Sequence, residues 1–135
     1  MTFRSLLVLK AVVCVFFGSF LLVAPGVLFG ILGANLGTAG VFAAREYGAA
    51  MFGTLLLTWF ARDVRSPGAT RAILLDLLVY DGIGVVITVV AVVSGVLSVL
   101  GIGIVVVYLF FTVGSGYVLY AARASTPAHV EARPA

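Results

Sequence analysis

The sequence predicts an all-α membrane protein, a four-transmembrane-helix bundle with both termini cytoplasmic, and three observations predict it. Of the 135 residues, 63% are hydrophobic and 10% charged, whereas an ordinary soluble domain is about 25% charged; the mean hydropathy is +1.27. The apolar residues gather in four stretches, about 6–24, 41–61, 72–93 and 96–122, each near the ~20 residues that cross a hydrocarbon core of ~30 Å. The basic residues are one-sided. Arg4 and Lys10 open the first stretch, Arg62, Arg65 and Arg71 lie between the second and third, Arg123 and Arg133 follow the fourth, and Arg45 alone falls on the other side. An excess of Lys and Arg marks the cytoplasmic loops.

The elements follow in order. The first stretch closes at Ala24-Pro25-Gly26, a helix stop, and Lys10 comes too late for a signal peptide, so this stretch is expected to stay as a span. Residues 27–40 are uncharged and glycine-rich. They fit a helix extension, an interfacial segment or a re-entrant piece, with Gly37–Gly40 as the expected turn. The second stretch carries Arg45-Glu46-Tyr47 near its outer end and closes with Trp59 and Arg62, an interfacial anchor. Ser66-Pro67-Gly68 turns the chain into the third stretch, and Ser94-Gly95 predicts a short hairpin into the fourth. Residues 1–123 thus form one transmembrane domain, and 124–135 form a polar tail with the composition of disorder. Small residues at Ala49/Gly53, Ala50/Thr54 and Gly114/Ala121 have the spacing of packed faces. The segments Phe52–Arg62 and Val113–Arg123 align without gaps. That fits a 2+2 duplication of helical hairpins, and equally two unrelated helices that both end in an aromatic and an arginine.

Chemistry is sparse. Cys14 is the single cysteine and His129 the single histidine, which leaves no redox pair and no metal set. No phosphate loop or catalytic triad is present, no cofactor is implied, and nothing points to nucleic acid. Ionisable residues inside spans are costly and mark functional candidates. Asp81 is the foremost, near mid-depth, as a proton site, the polar end of a lipophile pocket or a buried clasp between helices. Tyr80 adjoins it, Tyr108 and Thr112 lie at similar depth, and Arg45 and Glu46 lie nearer the outer edge. Asp76 is expected to pair with Arg62 and Arg71 at the inner interface. Lys10 is expected to snorkel away to that same interface.

Two stretches carry a family resemblance. FLLVAPGVLFG (Phe20–Gly30) ends the first span, and REYGAAMFGTLLL (Arg45–Leu57) with WFAR (Trp59–Arg62) makes the second. In these the chain resembles small bacterial four-helix membrane proteins of a domain-of-unknown-function family, DoxX-like in layout. The resemblance covers the first two spans and only the layout of the rest. It implies a multi-pass protein of the bacterial cytoplasmic (inner) membrane, no established reaction, and structural roles for Arg45 and Gly48. Small multidrug-resistance transporters are similar only in helix number and length: their essential glutamate lies in the first span, where this chain has no acid.

Three functions follow as expectations. The first is a non-enzymatic lipid- or hydrophobe-binding protein or accessory subunit of a membrane assembly. The second is a proton-coupled small transporter using Asp81. The third is an intramembrane enzyme acting on a lipophile, with Asp81 and either Asp76 or Glu46 as acid and base. Membrane lipids are the implied partners, with a homo-oligomer or larger membrane complex left open.

Overall fold

The computed structural model describes residues 1–124. The tail beyond Ala124, with His129 and Arg133, lies outside the described residues, as does the side chain of Arg123. Helix α1 spans Phe3–Val23, α2 Pro25–Ile31, α3 Thr38–Ala61, α4 Pro67–Val93 and α5 Gly101–Ala124. No strand occurs among the described residues. Helices α1, α4 and α5 are long and apolar enough to cross a membrane, and by length and composition the chain is a multi-pass membrane protein. Helix α3 has the length, 24 residues, but Arg45, Glu46 and its small and hydroxyl residues dilute its apolar character. Large apolar side chains such as Phe16, Phe60, Val86 and Val93 point outward, as suits helices whose solvent is hydrocarbon rather than water.

The local sequence sets the ends. Thr2 caps α1 by accepting from Ser5 N–H at 3.2 Å. Pro25 and Pro67 each sit in the first turn of a helix, where the missing N–H goes unneeded and φ is already helical. Helix α4 therefore begins at Pro67 rather than near Ala72. The turn between α2 and α3 lies at Leu32–Gly37, ahead of the expected Gly37–Gly40, because Gly33 adopts φ +82° while Thr38 is already helical. The last connection is also longer than a Ser94-Gly95 hairpin. Gly95 turns at φ +75°, Ser94 Oγ donates back to Val90 O at 2.7 Å, and Ser98 N–H donates to Leu32 O at 2.7 Å. That last bond ties the two connections together.

Helix α1 packs along α3 and α4 along α5, with a lighter α1–α5 contact joining the two hairpins and α2 resting on α1 and α3. The α1–α3 approach is close at Gly48, where an added Cβ would stand 3.1 Å from Gly18 O and 3.0 Å from Leu21 Cβ. The Ala49/Gly53 row faces outward instead, with nothing within 4 Å of a Cβ at Gly53. The apolar core of Leu6, Leu7, Leu74, Leu77, Phe111 and Leu119 lies toward the end that holds Arg4, Arg62, Arg65 and Arg71. This is the arginine end; the end holding α2 and residues 94–100 is the link end.

Candidate functional site

The buried apolar cluster shared by the two hairpins lies at the arginine end, a cavity opens between them toward the link end, and the polar side chains of the interior gather between the two. Asp81 is fully buried on α4, and its Oδ1 accepts from Nζ of Lys10, which is 4% exposed on α1. Lys10 therefore does not snorkel. The helix turns it inward, its Nζ lying 4.6 Å from the Phe111 ring centroid and 5.2 Å from that of Tyr80, so a carboxylate and two aromatic faces hold the ammonium. Removing one partner of such a pair leaves an uncompensated buried charge, which costs about 3–5 kcal/mol. Asp81 Oδ2 has no hydrogen-bond partner among the described residues.

Beside this pair, where Tyr80 adjoins Asp81 on α4, three tyrosines from three helices meet at their hydroxyls. Tyr47 of α3 hydrogen-bonds Tyr80 of α4, and it hydrogen-bonds Tyr108 of α5 at 2.9 Å. The Tyr80 and Tyr108 rings stand edge to face with centroids 6.4 Å apart. Gly84 makes room for this: a Cβ there would lie 2.7 Å from the Tyr108 ring. Tyr47 and Tyr80 are also partly exposed, at 36% and 39%, on the side where α3 and α4 face each other without extended packing.

Between the hairpins runs a cavity of about 310 Å³, at the lower end of the ~300–1,000 Å³ typical of small-molecule pockets. It reaches from Lys10, Cys14 and Thr54 to Leu32 and Leu97 at the link end. Along α1 its wall runs from Lys10 to Leu21, ~16 Å at 1.5 Å per residue. A volume of that size drawn out over that length is a narrow slot. The three tyrosines line it, and Asp81 does not.

The expected site residues fall into two groups. Asp81, Tyr80 and Tyr108 are brought together. Thr112 is not, since its hydroxyl donates to Tyr108 O at 2.9 Å within its own helix. Arg45 and Glu46 are exposed and make no ion pair among the described residues, so neither reaches Asp81. The expected Asp76–Arg62–Arg71 cluster does not form. Asp76 and Arg71 are exposed and unpaired among the described residues. Asp63, next to Arg62 in sequence, takes its place, forming ion pairs with Arg62 Nε and Arg4 Nε at 3.5 Å each. Arg62 also stacks on Trp59, with Cζ 4.1 Å from the ring. Sequence reasoning missed Lys10 and Tyr47. The depths gave only a partial signal for Lys10: it follows Arg4 by six residues and Asp81 follows Arg71 by ten, ~9 and ~15 Å of helix, a gap that a long lysine side chain spans. No known protein family, curated protein or solved structure matches this chain.

Proposed function

We propose that this is a non-enzymatic membrane protein that holds a single lipophilic molecule in the slot between its hairpins. The cavity carries this reading: it is elongated, walled by apolar side chains, and equipped at one end with a few convergent polar groups, the pattern of small-molecule sites. Supply from the bilayer suits the α3–α4 side, where the two helices lack extended packing and the Tyr47–Tyr80 hydroxyl contact bridges them. The Lys10–Asp81 pair reads as a clasp between hairpins, and its Lys10 also forms the polar end of the slot. The same proposal takes α3 as the fourth span, places both termini in the cytoplasm of a bacterial inner membrane, and accepts kinship with DoxX-like proteins, supported by the arginine end of the bundle and by the Phe20–Gly30 and Arg45–Arg62 stretches.

The test is native mass spectrometry of protein released from lipid nanodiscs, wild type beside Ala91→Phe. Ala91 lines the slot on α4, and a phenyl ring there fills it. Wild type is expected to carry a lipophilic adduct that the variant lacks at unchanged thermal stability. Equal adducts in both proteins, or none in either, would sink the reading.

A further inference from the structure

We propose that the slot selects an uncharged lipophile whose head is a hydrogen-bond-accepting oxygen, a carbonyl or ether, seated at the Lys10 end. The inference rests on the lipophile-binding reading above and adds the chemistry of the head.

The wall of the slot offers donors. Lys10 Nζ has three N–H groups, of which one is given to Asp81, and Lys10 lines the cavity while its acceptor Asp81 stands behind it. Tyr47, Tyr80 and Tyr108 have three hydroxyl hydrogens, two of them used in the bonds among the tyrosines, which leaves one to donate. The two threonines of the wall have committed their hydrogens to backbone, Thr54 to Ala50 O at 3.3 Å and Thr88 to Gly84 O at 2.8 Å. A purely hydrocarbon guest would leave the free N–H groups of Lys10 with aromatic faces alone; an oxygen acceptor gives them a partner.

Charge narrows the class further. Lys10 and Asp81 cancel, and both are withdrawn from water. A carboxylate head at Lys10 would add a second negative charge to a site with one positive charge, in a medium that screens little. An ammonium head would face the like charge of Lys10. The neutral acceptor alone gains a hydrogen bond without unbalancing the pair.

The experiment embeds the full chain in nanodiscs and offers methyl nonyl ketone, dodecane, undecanoate and undecylammonium in competition, with bound fractions read by native mass spectrometry. The ketone is expected to be retained about tenfold over each of the others, the size of one net hydrogen bond to a charged donor. In Asp81→Asn, Lys10 loses its counter-charge and the order of ketone and undecanoate is expected to reverse, a gain that unfolded protein cannot produce. Undecanoate bound by wild type as well as the ketone overturns the proposal, and so does a folded Asp81→Asn that still excludes it. Should Asp81→Asn fail to fold, the wild-type order decides. Dodecane retained equally with the ketone overturns the head-group assignment and leaves lipophile binding standing. Retention of no probe removes both.

Discussion

Lysine and aspartate are each expensive inside a bilayer, and at Lys10 and Asp81 the expense is offset by their mutual hydrogen bond and by the Phe111 and Tyr80 rings. The two residues should therefore be strongly coupled. Lys10→Met and Asp81→Asn are each expected to destabilise the fold by about 3–5 kcal/mol, and the double variant by less than the sum. Reversible unfolding in bicelles, arranged as a double-mutant cycle, measures this; additive losses would show that the pair is not a clasp. Gly84 acts at one remove. Gly84→Ala should displace the Tyr108 ring at a cost of about 1–3 kcal/mol, and weaken the Tyr47–Tyr108 hydrogen bond seen at 2.9 Å. Tyrosine ultraviolet difference spectra would report it, and spectra identical to wild type would refute it. Asp81 was legible in the sequence because a carboxylate in an apolar run has no bland position. Lys10 was not, because a lysine a few turns from a helix end satisfies the snorkelling rule equally well, and its partner is 71 residues away. The tyrosine cluster joins three helices, and no local spacing in the chain encodes that.

At the scale of the element, the long helices follow from the apolar runs, while their junctions do not. Helix identity is a property of some twenty residues together, but an end is decided by one or two side chains: Pro67 in a first turn, Gly33 with positive φ, Ser98 reaching the Leu32 carbonyl. Small residues illustrate the same limit. Spacing alone nominated Ala49 and Gly53 as a packing row, but the face that meets α1 carries Gly48. This makes a paired prediction. Gly48→Ala is expected to cost about 1–3 kcal/mol by forcing α1 and α3 apart. Gly53→Ala should be neutral or slightly stabilising, by up to ~1 kcal/mol, since alanine favours helix over glycine. Unfolding of the two variants side by side decides it, and equal losses would mean that the α1–α3 approach is not set by Gly48.

For the molecule as a whole, composition carried the class, charge bias supplies the threading as an expectation, and the cavity was invisible because it exists only between two hairpins. The threading is open to direct test in a Cys14→Ala background. A cysteine at Arg65 should be modified from the cytoplasmic side and one at Asn35 from the opposite side only. Both labelled from one side would show that α3 does not span. The division of the clasp between hairpins also has a consequence for how the protein is made. Lys10 leaves the ribosome 71 residues ahead of Asp81, and at ~5–20 residues per second that is a wait of about 4–14 s. During that interval α1, and the first hairpin once α3 is complete at Ala61, must sit at the insertion machinery with an uncompensated cation. A chain interrupted after α3 would keep that defect for good, which makes an incomplete product a natural target for membrane quality control.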